Sequence, residues 1–219
     1  MRVLAWDTST PFPSVAILED KRVLAETNLD IGLKHSSHLI PVIDELLKMT
    51  GMKLEDIDII GATIGPGSFT GIRVGLATAK ALCFALNIGF SPVISLDALA
   101  LKEKESQKLI AAIDAKKGEV FMAEYRKGQR IWGPYNTPIE ELWMRGPALF
   151  IGDGASRFRE LIEKNLGEGA RFSERSLFIA AETGKLAFDK VTQGKVVAPD
   201  KIFPLYLRAS DAEIKKWGK

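Results

Sequence analysis

The run GPGSFTGIRVG at residues 65–75 constrains the fold more than any other part of the chain. Before it lies the β-branched stretch Asp58 to Ile64, short enough for a buried strand, and after it the pattern predicts a helix from about Thr70 to Leu86. A strand that enters a helix through a glycine turn is the elementary unit of an α/β sheet. Gly65, Gly67 and Gly71 let the backbone turn tightly and point N–H groups outward at a helix N-terminus, where an anion is stabilised. A tight turn that holds no ligand explains the same residues. Three phosphate or nucleophile patterns fail on spacing: G-x-G-x-x-G meets Thr70, a P-loop finds no Gly-Lys pair, and G-x-S-x-G around Ser68 meets Pro66 and Thr70.

The flanking sequence supplies more of the same architecture. Val3 to Trp6, Ser14 to Leu18 and Arg22 to Thr27 read as a strand meander, broken by turn-formers at Asp7 to Pro13 and Glu19 to Lys21. Leu39, Val42, Ile43, Leu46 and Leu47 then mark one face of an amphipathic helix that ends at Gly51, with Pro41 in its first turn or at a kink. A strand at Phe90 to Ser95 follows the glycine-initiated helix. The charged stretch from Leu101 to Lys108 is the best lobe boundary, and beyond it the pattern restarts with strands at Leu109 to Asp114 and Val120 to Tyr125. Gly128 to Pro147 reads as loop with one helical turn, then come a strand at Ala148 to Ile151, a Gly152-Asp153-Gly154 turn, a helix to about Asn165 and another from Phe178 to Val191. No fixed-period repeat is present. The expectation is an α/β fold of two lobes, residues 1–104 and a smaller 105–219, each with a mixed sheet and flanking helices.

Within the predicted helix, Gly71, Gly75 and Ala79 recur every four residues, and Thr78, Ala81 and Ala85 keep the neighbouring surface small. Glycine in a helix interior costs about 1 kcal/mol relative to alanine, so two of them require a packing reason. Close approach of another backbone is that reason, whether from this chain or from a second subunit.

Composition excludes several classes. Thirty Lys+Arg against 28 Asp+Glu leave a net charge of +2, which does not advertise a nucleic-acid binder. The balance is uneven: residues 1–100 hold 8 basic and 11 acidic residues, the remainder 22 and 17, giving −3 and +5. The second-half cations, including Lys116, Lys117, Arg126, Lys127 and Arg130, are scattered and fit solvated surface better than an RNA-reading module. The single cysteine, Cys83, excludes an internal disulfide and reads as a small buried hydrophobe. No segment approaches 18 uninterrupted apolar residues and the start has no signal-peptide pattern, so a cytoplasmic protein is expected. His35 and His38 have metal-ligand spacing, yet no third histidine or second cysteine exists to complete a site. A Ser68–His–Asp7 triad has no local signature.

Asp7-Thr8-Ser9-Thr10 closes the first strand. An acidic residue with three hydroxyl neighbours suits a phosphate and its hydrated metal, and equally suits a capped turn. A DTST turn in a strand meander, with GPGSFTGIRVGLATAKAL some sixty residues on, resembles the first lobe of the actin, sugar-kinase and Hsp70 superfamily (ASKHA). More narrowly, HSSHLIPVIDELL, GATIGPGSFTGIRVGLATAKALCFAL, SLDALA and the tail PLYLRASDAE resemble the bacterial TsaB/YeaZ family of tRNA threonylcarbamoyladenosine biosynthesis proteins.

The resemblance implies a two-lobed relative of the catalytic subunit TsaD, which transfers a threonylcarbamoyl group to N6 of the adenosine 3′ of the anticodon in ANN-decoding tRNAs. It implies an accessory, non-catalytic subunit that pairs with itself and with TsaD, activates TsaD, and is joined by the small ATPase TsaE, with tRNA met mainly through the complex and no membrane involved. Where TsaD resembles an HxxxH metal pair, this chain has Ser95 and Leu99, so no metal site is expected. Asp7, Thr8, Ser9, Thr10, Gly65, Pro66, Gly67 and Ser68 are then a vestigial nucleotide cleft, needing no cofactor and retaining at most weak nucleotide binding. The helices Ser37 to Met49 and Thr70 to Leu86 are expected to offer a subunit interface through Leu39, Val42, Ile43 and Leu46 and through Gly71, Val74, Gly75, Thr78, Ala79 and Leu82. The tail from about residue 199 is expected to pack back on the first lobe. The alternative is a stand-alone kinase or metallopeptidase-like enzyme of the superfamily, which needs a general base, both phosphate turns or metal ligands.

Overall fold

The computed structural model describes residues 1–29 and 39–209. His35, His38 and the start of the first predicted helix at Ser37 lie outside the described residues. The first lobe runs β1 (Arg2–Asp7), β2 (Ser14–Glu19), β3 (Arg22–Asn28), α1 (Leu39–Thr50), β4 (Ile59–Thr63), α2 (Phe69–Leu86), β5 (Gly89–Val93) and α3 (Ser95–Leu101). Its sheet has the order β3-β2-β1-β4-β5, with the meander antiparallel and β1, β4 and β5 parallel. The second lobe runs β6 (Leu109–Lys116), β7 (Glu119–Arg126), β8 (Gln129–Pro138), α4 (Glu141–Met144), β9 (Ala148–Ile151), α5 (Asp153–Arg157), α6 (Arg159–Leu166) and β10 (Ala170–Phe172). Its order, β10-β9-β6-β7-β8, is the same topology again: an antiparallel meander followed by parallel strands on the other side of the first. The two lobes share a topology without sharing a sequence period.

Strand alternation explains the layering. Along β1, Val3 and Ala5 face one core while Leu4 and Trp6 face the other. The Leu4 and Trp6 side is covered by α1 and α2 through Leu39, Ile43, Leu46, Ile72 and Leu76. The Val3 and Ala5 side meets α3 and the final helix, α7 (Ala180–Thr192), and runs on into Leu109, Ala111 and Ile113 of β6. One continuous core therefore joins the lobes. The opposite face of the second sheet, with Ile110 and Ala112, packs against Leu142, Ala155 and Ile162.

Three elements differ from expectation. Ser95 begins α3 instead of ending a strand. Gln129–Pro138, read as loop, is the edge strand β8; its Gly133-Pro134 pair lies where the ladder to β7 shifts register, and an edge position tolerates proline's missing donor. The return to the first lobe begins at Ile179, before residue 199: α7 packs on β1, β2, β4 and β5, with the Ala180 amide donating to Ser14 Oγ at 3.0 Å.

Candidate functional site

The sequence places its chemistry at the C-terminal ends of parallel strands, where open α/β sheets hold ligands. In the first lobe these are the ends of β1 and β4. Asp7 is fully buried and its carboxylate is saturated from within: Oδ1 accepts from the Ser9 amide at 2.8 Å, the Ser9 hydroxyl at 2.6 Å and the Thr63 hydroxyl at 2.5 Å. Oδ2 accepts from the Thr10 amide at 3.3 Å and from the Thr10 hydroxyl. The DTST segment is thus an aspartate-capped turn. Its hydroxyls are committed as well: Ser9 Oγ lies 2.7 Å from Ser95 Oγ, and Thr8 Oγ1 donates to the Gly71 carbonyl at 2.8 Å.

The glycine junction packs directly on this turn. The Ser68 amide donates to the Ser9 carbonyl at 2.7 Å, and a Cβ on Gly67 would overlap that carbonyl. A Cβ on Gly71 would overlap the Thr8 carbonyl, and one on Gly65 would sit 2.6 Å from the Leu205 carbonyl oxygen. Ser68 caps α2, its hydroxyl accepting from the Gly71 amide at 3.2 Å. The structure therefore packs the Asp7–Thr10 turn directly on Gly67, Ser68 and Gly71 through the chain's own backbone, while Gly65 lies against Leu205. Both Asp7 oxygens are engaged by donors of this chain. Glycine stands at 65, 67 and 71 because protein backbone passes there.

The two positions compared with the metal pair are also taken up by packing. Ser95 is buried against Ser9, and Leu99 belongs to the core that joins the lobes. Among the described residues, no group of three or more His, Cys, Asp and Glu side chains is placed to hold a metal ion.

The strand ends of the second lobe carry a carboxylate pair. Asp114, at the end of β6, accepts from the Lys116 amide at 2.8 Å and pairs with Lys116 Nζ at 2.7 Å and Arg157 Nε at 3.4 Å. Asp153 opens α5, and its Oδ1 accepts from the Asp114 amide at 3.4 Å. Burial, reinforced by the Asp114 carboxylate and opposed by that amide, pushes Asp153 up to about 6. Gly152 and Gly154 are glycine for the same reason as before: a Cβ at Gly152 would overlap the Ala112 carbonyl, and one at Gly154 would lie 2.9 Å from the Ile113 carbonyl carbon. Of the scattered cations, Arg126 pairs with Glu124 at 3.4 Å and Arg130 with Asp97 at 2.9 Å.

The expected interface residues require a correction. Leu39, Val42, Ile43 and Leu46 are buried in the first core, and Gly71, Gly75 and Ala79 are buried beside them. The small-residue row faces β1 of this chain, since a Cβ on Gly75 would overlap the Thr8 hydroxyl and lie 3.1 Å from Trp6 Nε1. Val74, Thr78 and Leu82 flank that seam and are half-buried. The surface that α2 does offer is its other side, Ala77, Ala81, Phe84 and Ala85, with Phe84 83% exposed. Sequence reasoning missed Phe84 because an apolar residue in an apolar helix carries no mark of which side it faces. By length and composition α2 would also pass for a membrane-crossing helix. Its buried side is nevertheless packed on the first sheet, and Arg73 and Lys80 are exposed on the other.

A family model described as TsaD, tRNA N6-adenosine threonylcarbamoyltransferase, matches residues 30–216. The chain is 32% identical to the tRNA threonylcarbamoyladenosine biosynthesis protein TsaB of Escherichia coli strain K12, over 100% of both chains. It superimposes on YeaZ from Pseudomonas aeruginosa with a TM-score of 0.79 at 29% identity, covering 94% of this chain and 99% of the other. The ROK hexokinase of Thermus thermophilus shares the fold alone, at 11% identity and a TM-score of 0.53 over 89% of this chain and 100% of that one. The duplicated meander-plus-parallel topology is thus the two-lobed actin-like ASKHA architecture. The chain belongs to the TsaB/YeaZ family of tRNA threonylcarbamoyladenosine biosynthesis proteins.

Proposed function

We propose that the chain is an accessory subunit in the formation of threonylcarbamoyladenosine at the adenosine 3′ of the anticodon of ANN-decoding tRNAs, where it binds and activates a TsaD-type catalytic subunit and performs no chemistry itself. One observation carries the reading. Only six of the eighteen residues of an apolar helix, α2, are buried, and the exposed side is built from alanines around Phe84. An apolar helix side left open is suited to a partner, and small residues there permit close approach. The use of both Asp7 oxygens within the chain supports the same reading, because a kinase of this fold needs groups free to hold a phosphate and its metal.

In this reading the α2 side accepts a second copy of the chain when TsaD is absent and TsaD when it is present. A TsaE-type ATPase joins the assembly, tRNA is engaged through the complex, and the subunit works in the cytoplasm without a cofactor of its own. The test is reconstitution of threonylcarbamoyl transfer to an ANN-decoding tRNA by the TsaD partner, with and without this chain. Transfer that rises on adding the chain is the expected result. Transfer unaffected by it, or phosphate release or peptide cleavage by the purified chain alone at about 1 per second, overturns the reading.

A further inference from the structure

The tail packs back on the first lobe and then continues to the second. After an isolated bridge between Val197 and Phe90, Ile202 is buried in the first core. The chain then runs without regular structure along the glycine junction. The Leu205 amide donates to the Ile64 carbonyl at 2.8 Å, and the Leu205 carbonyl occupies the space that a side chain at Gly65 would need. Tyr206 stacks on Phe69 with ring centroids 4.5 Å apart, and its hydroxyl accepts from Arg73 Nε at 2.9 Å. Leu207 packs against the core shared by both lobes. Arg208 then crosses to the second lobe, donating to the Ala115 carbonyl at 2.7 Å and to Glu119 at 3.1 Å, at the hairpin that follows Asp114.

We infer that Ile202 to Arg208 is an interlobe strap: it is anchored at Ile64, Gly65 and Phe69 in the first lobe and at Ala115 and Glu119 in the second, and holds the crevice between the strand ends shut. Geometry and chemistry agree on this. The seven residues from Ile202 to Arg208 span at most about 25 Å, so the anchors fix a short distance between the lobes. The anchors on the first lobe are the buried Ile202 side chain, a backbone hydrogen bond, aromatic stacking and the Arg73–Tyr206 hydrogen bond, and the anchor on the second is a guanidinium, largely buried, bonded to a carbonyl and a carboxylate. The strap also sits beside Arg73, so the outer side of α2 and the second lobe are joined through residues 206–208.

The test is amide hydrogen exchange and small-angle scattering on the full-length chain, comparing wild type with Arg208→Ala. Loss of the second-lobe anchor is expected to raise the radius of gyration. It is also expected to speed exchange about tenfold or more both at 64–69 and at 115–119, with the circular dichroism spectrum unchanged. Faster exchange confined to 115–119 with an unchanged radius overturns the strap, because the shared core would then be holding the lobes by itself. Wild type gives an independent reading should the variant not fold. The Leu205 amide is expected to exchange with the slow unit that includes Ser68 and Ser95, and exchange at the rate of a frayed terminus overturns the inference.

Discussion

Gly75 of α2 lies directly against Trp6 of β1, with a Cβ at that position falling 3.1 Å from the indole nitrogen and into the Thr8 hydroxyl. The four-residue spacing of Gly71, Gly75 and Ala79 is therefore a seam between helix and sheet inside one chain. Gly75→Leu is expected to lower stability by about 3 kcal/mol or more, because the neighbours that would have to move are a fully buried tryptophan and a hydrogen-bonded threonine. Urea unfolding followed by circular dichroism reads this. A Gly75→Leu chain with the wild-type midpoint and a lost self-association would return the seam to an intersubunit role.

Asp7 makes a second structural assignment testable. Its carboxylate accepts from two amides and three hydroxyls in a turn shielded from water. Asp7→Ala leaves those donors without an acceptor, a loss on the order of 4 kcal/mol, which lowers the melting temperature by roughly 10 °C in a chain of this size. Calorimetry decides the matter. An unchanged melting temperature would mean that Asp7 serves a ligand and not the fold.

Much of this arrangement was legible in the sequence, and the gaps have physical causes. Short apolar runs bounded by turn-formers exposed β1, β2 and β4, which are buried on both faces, and a period of 3.6 exposed α1 and α2, which each bury one side. The strand β8 was hidden because an exposed edge strand shows no apolar alternation and carries Gly133 and Pro134. The seven-residue α3 was hidden because Ser95 to Leu101 continues the apolar run of β5. At the site, the glycines announced that something approaches the backbone closely. Local sequence could not say that the visitors were Thr8, Ser9 and Leu205, since these contacts link residues up to 140 positions apart, from Gly65 to Leu205. The crossing of the tail from the first lobe to Ala115 and Glu119 was invisible for the same reason.

Asp153 supplies a pH dependence whose sign is fixed by its environment. In the unfolded chain it titrates near 3.8, and in the folded protein burial pushes it to about 6. The folded state holds the extra proton between those values. Its contribution is fully present below about 3.8 and is lost as pH rises through about 6. Asp153→Asn keeps the oxygen that accepts from the Asp114 amide and abolishes the titration. Relative to wild type, the variant should gain on the order of 2 to 3 kcal/mol between pH 3.5 and pH 7.5. Chemical denaturation of both proteins at the two pH values measures this difference, and a gap that does not change with pH would show that Asp153 is solvated.

Cys83 should be chemically quiet. It is fully buried on α2, its thiol lies 3.5 Å from the Gly89 carbonyl, and desolvation raises its pKa to about 11. At pH 8 roughly a thousandth of it would be thiolate even if reagent could reach it. Iodoacetamide followed by intact-mass measurement is expected to label the chain only in denaturant. Labelling of the native protein would mean that α2 opens away from the sheet.

The α2 surface gives the most direct test of how the subunit works. Phe84 is 83% exposed, Ala77, Ala81 and Ala85 are exposed around it, and none of them belongs to a core formed by the described residues. Phe84→Asp should therefore leave stability within about 0.5 kcal/mol of wild type, as surface substitutions generally do. An aromatic at the centre of a close helix contact is worth about 2 kcal/mol or more to association, a weakening of roughly thirtyfold when it is lost. Sedimentation of the chain alone and with the proposed TsaD-type subunit measures that weakening, and the transfer assay should show a parallel loss of stimulation. If Phe84→Asp associates and stimulates like wild type, α2 is not the contact. If it unfolds, Phe84 belongs to the core and the contact surface must be sought on another element, such as α1 with its exposed Ile40 and Met49.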